Sequence, residues 1–218
     1  PPPRPSPQYG VAVHLYGLDR GRALDLAREA GFGWIRQQVW WRSVEPWKGF
    51  YAWGELDGIV ADANASGLKV MLSIVRSPEW ASGGGYGLPL DPEDMGDLIY
   101  AMASRYRGRV HAYEVWNEPN LALENAGWVA DPGHYVEVLA VAYRRIKEAD
   151  PDALVISAAL TPTGVSKPWI SIDDRDYLRA MLSYRGGLLL SSCDAIGAHA
   201  AGTHNPPDTL WPDRPGPF

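Results

Sequence analysis

The chain has 218 residues and a formal net charge of −6, enough length to bury a sizeable core in one domain and the wrong charge balance for a nucleic-acid partner, which favours a basic patch. Its one cysteine, Cys193, excludes an internal disulfide framework and a cysteine-based zinc site, and no run of about 18 apolar residues predicts a membrane span. Ten tryptophans against three phenylalanines are the compositional oddity: an indole offers a wide flat face with one polar N–H, which suits a binding cleft better than a core.

The chain opens Pro1-Pro2-Pro3-Arg4-Pro5-Ser6-Pro7, so residues 1–8 read as an extended, semi-rigid linker. Linkers of this kind follow removed signal peptides or anchors, and the expected location is secreted or extracytoplasmic. Residues 9–218 form the expected folded domain. Apolar, β-branched stretches predict strands over 11–15, 33–39, 69–74, 110–117, 153–160 and 195–200. Helical patterns lie between them. Leu24, Ala27 and Ala30 share a face, with Gly31 as a stop; Leu56, Ile59, Val60 and Ala63 do the same ahead of Gly67. Asp91-Pro92-Glu93-Asp94 and Asp131-Pro132 each supply an N-cap followed by proline at the first helical position. Asp173-Asp174 starts a helix through Tyr184, closed by Gly186-Gly187. These acids are helix starts in preference to a cation site.

Strands alternating with capped helices predict a parallel sheet, and a strand start about every 37 residues fits successive βα units. The fold class is α/β, a TIM (β/α)8 barrel with six units in view. Eight units take about 250 residues. Residues 204–218 are broken by Asn205-Pro206-Pro207, Trp211-Pro212 and Pro215-Gly216-Pro217, so the sequence is expected to stop in the loop after strand 6.

Strand 4 ends Tyr113-Glu114-Val115-Trp116-Asn117-Glu118-Pro119-Asn120. In a parallel barrel the reacting groups sit at strand C-termini. This stretch resembles the signature of the retaining (β/α)8 glycoside hydrolase clan that includes the cellulase family (family 5) and the xylosidase-type family 39. Other blocks resemble it in order: Arg36, Trp41, Glu45-Pro46, Gly49, Tyr51, Trp53, Leu56 and Asp57; Ser77-Pro78-Glu79-Trp80; and Asp194-Ala195-Ile196-Gly197-Ala198-His199, with Ala201 where the clan commonly has an aromatic residue. The resemblance implies hydrolysis of O-glycosidic bonds with retention. Glu118 would be the general acid/base, Asn117 a sugar or carboxyl partner, and a second Glu, at the end of strand 7, the nucleophile. No Glu follows Glu148, so no residue here is assigned as nucleophile, and this chain by itself is expected to be inactive.

The chemistry explains the residue types. An acid must protonate the leaving oxygen while a carboxylate faces the anomeric carbon from the other side. Pro119 is expected to bias Glu118 toward the extended region and so aim its carboxyl. Arg36 shares a strand face with Trp34, Gln38 and Trp40. If inward, it needs a carboxylate partner. The resemblance makes it the orienter of the nucleophile; the alternative is a structural pair with Glu114, itself read as a floor residue of the barrel. His199 and His14, at the ends of strands 6 and 1, are candidate sugar contacts. Trp116 and Trp80 are candidate stacking platforms, and Trp40 and Trp41 face opposite ways, so at most one faces the cleft. A lyase or aldolase on the same barrel would need a Schiff-base lysine, a metal cluster or a phosphate loop; the sequence offers no such cluster, and Lys48, Lys69, Lys147 and Lys167 do not fall at strand C-termini, so that reading is disfavoured and no metal or cofactor is expected. The expected partner is a carbohydrate. The alternative to an enzyme is a carbohydrate-binding pseudoenzyme that keeps the cleft without the nucleophile.

Overall fold

The computed structural model describes residues 6–17 and 19–200. Most of the proline-rich linker (1–5), Ala201 and the loop 204–218 lie outside the described residues. Five strands form one parallel sheet in the order β1-β2-β3-β4-β5: β1 Gly10–Val13, β2 Trp34–Trp40, β3 Lys69–Val75, β4 Ala112–Val115 and β5 Leu154–Ser157. Each strand pairs with the next in sequence, without the reversal of a doubly wound sheet. This is the winding of a (β/α)8 barrel.

The helices begin where the capping residues predict. Asp19 accepts the amide of Arg22 at the head of α1 (Arg20–Glu29), Asp91 that of Glu93 at α5 (Pro92–Arg105), Asp131 that of His134 at α6 (Pro132–Ala149), and Asp173 that of Arg175 at α7 (Asp174–Ser183). Each cap satisfies one of the orphan N–H groups of the first turn. α3 spans Gly54–Ala65. Two single-turn helices, α2 (Trp41–Val44) and α4 (Glu79–Ser82), follow β2 and β3 directly; they are too short to show a period in the sequence. α5 and α6 pack closely because Gly96 has no side chain: a Cβ there would lie 2.7 Å from Val141 Cγ1.

β2 alternates between buried and half-exposed positions. Ile35, Val39, Val70, Leu72, Ile74, Val115 and Val155 join the core with Leu24, Leu56, Ile59, Leu98, Met102, Leu139 and Ile146 from the helices. The opposite parity carries Arg36, Gln38, Ser73 and Glu114, and the register aligns Gln38, Ser73 and Glu114 across three strands. The polar inner face of the barrel is thereby assembled. No helix among the described residues is long and apolar enough to cross a membrane.

Four strand expectations need correction. The first ends at Val13 rather than 15, and the Leu15 amide donates to the Gln37 side chain at 2.8 Å. The fourth ends at Val115 rather than 117, because Trp116 and Glu118 take positive φ. The fifth ends at Ser157 rather than 160: the Ala158 amide leaves the ladder to donate to the Tyr135 hydroxyl at 2.6 Å. The sixth is reduced to isolated parallel bridges, Ile156 with Ala195 and Leu160 with Ala198. Between them the Gly197 amide donates to the Ser157 hydroxyl at 3.1 Å, so the ladder is interrupted by a side chain.

Candidate active site

Arg36 projects from the middle of β2 and donates through Nε (2.8 Å) and Nη2 (2.5 Å) to Oε2 of Glu114 on β4. The same Nη2 reaches Ser73 Oγ at 3.0 Å and Asn117 Oδ1 at 2.9 Å. Glu114 is buried, at 2% exposure, and a buried carboxylate persists as an ion only when paired and hydrogen-bonded. Of the two readings of Arg36, the described residues therefore display the pair with Glu114. Its contact with Asn117 carries that floor network to the residue beside Glu118.

Glu118 sits just past the tip of β4. Its backbone is not extended, contrary to the expectation from Pro119: φ is +42, and Trp116 two residues earlier is at +75. Long-range bonds outweigh the local steric bias. The Glu118 amide donates to Ala159 O at 3.0 Å and its carbonyl accepts from Leu121 N at 2.9 Å. Left-handed non-glycine residues cost on the order of 1–3 kcal/mol and persist only where surroundings over-determine them. Here Asn125 does so, accepting from Trp116 Nε1 at 3.0 Å and donating to the carbonyls of Pro119 and Leu121. Asn120 adds bonds to both the amide and the carbonyl of Thr161 and to Ile172 O. Asn120 and Asn125 were not singled out from the sequence, since their partners lie in other loops or are backbone groups.

The carboxyl of Glu118 meets His199 across 81 residues of sequence, with Oε1 2.7 Å from Nδ1. A contact of that length is within hydrogen-bonding distance. Both side chains remain partly open to solvent. Nearby stands Glu124, in the 3-10 turn Ala122–Asn125. Burial raises its carboxyl above the ordinary range, with Arg76 (4.0 Å away) and the Asn117 side chain opposing the shift. It is a second acidic group at the β4 tip that the motif does not reveal.

The remaining candidates separate. His14 and Trp40 line a cleft of about 400 Å³ with Tyr16 and Gln38, beyond the ends of β1 and β2. Trp40 is 45% exposed and Trp41 fully buried. Trp116 is also fully buried in the core, so its reading as a stacking platform is corrected: the positive φ that carries the chain to Glu118 turns the indole inward onto Asn125. Trp80 lines a different recess with Trp47 and Tyr86, edge-on to Trp41 at 5.6 Å. Glu45 of the Glu-Pro block is buried and structural, accepting from Trp41 Nε1 and Gly49 N, each at 2.7 Å. Trp47, Trp128 and Trp169 are exposed on loops, which accounts for part of the tryptophan excess. No group of three His, Cys, Asp or Glu side chains placed to hold a metal occurs among the described residues.

Comparison with known proteins agrees with this fold. The sequence model of the cellulase family (glycosyl hydrolase family 5) matches residues 5–169. Endo-1,4-beta-xylanase 1 of Gibberella zeae is 26% identical over 153 residues, 66% of this chain and 42% of that protein. Endo-1,4-beta-xylanase C of Paenibacillus barcinonensis is 28% identical over 141 residues, 52% of this chain and 13% of that protein. The chain thus spans less than half the length of these two relatives. Among solved structures, a family 39 glycoside hydrolase from Bacteroides cellulosilyticus WH2 superposes with a TM-score of 0.58 at 30% identity, over 68% of this chain and 30% of that one. An endoglucanase of Thermotoga maritima superposes at 0.51 with 20% identity, over 68% of this chain and 50% of that one, a likeness of fold alone. A family model that covers most of the chain, and an Asn-Glu-Pro turn at the tip of the fourth parallel strand, lead to one conclusion: the chain belongs to the cellulase family, glycosyl hydrolase family 5.

Proposed function

We propose that the protein hydrolyses O-glycosidic bonds in oligo- or polysaccharides with retention of configuration, and that Glu118 is its general acid/base. The observation that carries this reading is the placement of Glu118: a half-buried carboxyl beyond the C-terminus of β4, held by the backbone bonds of its turn and partnered at 2.7 Å by His199. The names of the two xylanase relatives favour a β-1,4-linked backbone as substrate.

In the first step Glu118 gives a proton to the leaving glycosidic oxygen while a second carboxylate attacks the anomeric carbon and forms a glycosyl–enzyme ester. In the second, Glu118 takes a proton from water, which attacks the same carbon and releases that carboxylate. The resemblance assigns the second carboxylate to a seventh strand; residues 1–218 contain no Glu after Glu148, so the double displacement is proposed for the protein in which that strand is present. Asn117 Oδ1 is held by Arg36, which turns its amide N–H groups toward Glu124 and toward a sugar hydroxyl.

The test is Glu118→Gln in the complete protein. Hydrolysis of glycosides with poor leaving groups should be abolished. Activated aryl glycosides, which need little protonation, should still form the glycosyl–enzyme, and added azide should restore turnover by replacing the base-assisted water. Full activity of Glu118→Gln on a poor leaving group would refute the assignment.

A further inference from the structure

Two arginines converge beside the candidate active site in a way that neither the acid/base pair nor the floor network uses. Arg76 directly follows β3, at φ +59, and its carbonyl accepts the amide of Arg42 in α2 at 3.0 Å. That bond clamps the tip of β3 to the turn after β2 and brings two guanidiniums onto one ring: Cζ of Arg42 lies 4.9 Å and Cζ of Arg76 5.8 Å from the Trp40 centroid. Arg76 also lies 4.4 Å from the Tyr86 ring. β4 pairs with β3, and the Trp116 amide bonds Ile74 O, so this cluster adjoins the strand that presents Glu118.

The countercharges are sparse. Arg42 is exposed and makes no ion pair among the described residues. Arg76 has only Glu124, at 4.0 Å. Lys48 stands over Trp80 at 5.6 Å but is paired with Asp94 at 2.5 Å. Arg42 and Tyr86 line a recess of about 490 Å³ together with Trp47 and Trp80, within the size range of small-ligand sites. Among the described residues that line it, Glu79, exposed in the first turn of α4, is the one free acid. Guanidiniums stacked on aromatic rings keep their planar forks oriented and point their N–H groups outward, the geometry that takes a carboxylate in bidentate fashion.

We propose that this recess is a subsite for a carboxylated sugar: a hexuronate unit or substituent of the glycan that reaches Glu118, with Arg42 on its carboxylate, Arg76 adding positive charge from over the Tyr86 ring, and the exposed indole of Trp47 on its sugar ring. The inference rests on the glycoside-hydrolase reading above and narrows its substrate to acidic glycans. A neutral sugar gains nothing from this positive charge.

Calorimetric titration of this chain with a xylo-oligosaccharide, and with the same oligosaccharide bearing one glucuronic acid, tests it. The acidic probe should bind about tenfold tighter, the scale of one charge-assisted hydrogen bond. The preference should shrink in about 0.5 M sodium chloride, where charges on an open rim are screened. Arg42→Gln should abolish most of it and leave the neutral probe unaffected; Glu79→Gln should strengthen the acidic probe alone. Arg76 holds a left-handed backbone position, so the exposed Arg42 carries the test, with unchanged thermal melting as the check on folding. Equal binding of the two probes, no binding of either, or a preference that survives Arg42→Gln would overturn the proposal. Failure of the Glu118 assignment is a separate result, full hydrolysis by Glu118→Gln, and leaves the binding preference measurable.

Discussion

Replacing Arg36 by methionine keeps the stem of the side chain and removes its charge. The structure sets the size of the consequence. Glu114 loses both donors that reach its Oε2, while Ser73 Oγ and Asn117 Oδ1 each lose one bond. The Glu114 side chain is 3% exposed against 23% for that of Arg36, so the carboxylate cannot turn to water. Removing one partner of a buried pair costs about 3–5 kcal/mol, and the partial opening at Arg36 places this case near 3 kcal/mol. Glu114→Gln is the milder change. It leaves an uncharged acceptor at the same place and a cation with some access to water, at about 1–2 kcal/mol. The double variant should therefore be more stable than the sum of the two losses predicts, by about 1–3 kcal/mol. Urea unfolding of the four proteins at neutral pH measures all three quantities, against a total stability of about 5–15 kcal/mol for a domain. A loss below about 1 kcal/mol for Arg36→Met, the value of a solvent-screened pair, or a larger loss for Glu114→Gln than for Arg36→Met, would refute the reasoning.

Gly197→Ala should disrupt the stretch that delivers His199. Its Cβ would fall 2.4 Å from Ser157 O and 2.8 Å from Ala159 N, both backbone atoms that cannot rotate away, and overpacking of this kind costs about 1–3 kcal/mol; a variant as stable as the parent in urea would show that the approach of this segment to β5 is not as described. His111 supplies a pH dependence. Burial, reinforced by Lys69, holds its ring below the ordinary histidine value, and its Nδ1 accepts the Val70 amide at 3.2 Å. The unfolded chain therefore takes up that proton first. The contribution of His111 to stability is full above about pH 6.5 and declines as pH falls through that value. The difference in urea midpoint between the parent and His111→Gln should shrink from neutral to mildly acid pH, and a pH-independent difference would contradict the assignment.

Much of the fold was legible in the sequence because its signals are short-range. The Asp-Pro starts of α5 and α6 are caps whose donor lies two or three residues from its acceptor. The glycine stops Gly31 and Gly67 do take positive φ, as a chain leaving a helix requires. The apolar runs of β2 and β3 needed only their own composition to be read. The Asn-Glu-Pro motif is equally local, and its resemblance to the clan signature places Glu118 at a strand tip.

The site was legible only as a set of residues. Whether Trp116 faced a sugar or the core depended on a left-handed turn, and that turn is held by Asn125, with the Glu118 amide tied to Ala159 on the far side of another loop. The bias of Pro119 toward an extended Glu118 is worth less than those long-range bonds, so the local rule gave way. The sixth strand reads as a strand in composition, but the Ser157 hydroxyl interrupts its pairing, a competition invisible one segment at a time. Trp40 and Trp41 were separable by alternation; that Trp41 would begin a helix was not. The sequence by itself determined the order of the capped helices and of the five paired strands, and it nominated Glu118, because capping, periodicity and turn preference act over a few residues. Only the tertiary structure decided that Arg36 answers Glu114, that His199 answers Glu118 across 81 residues, and that Arg42 meets Arg76 over Trp40. Those pairings depend on which strand tips the barrel winding brings side by side, and on which buried charges must then find a partner.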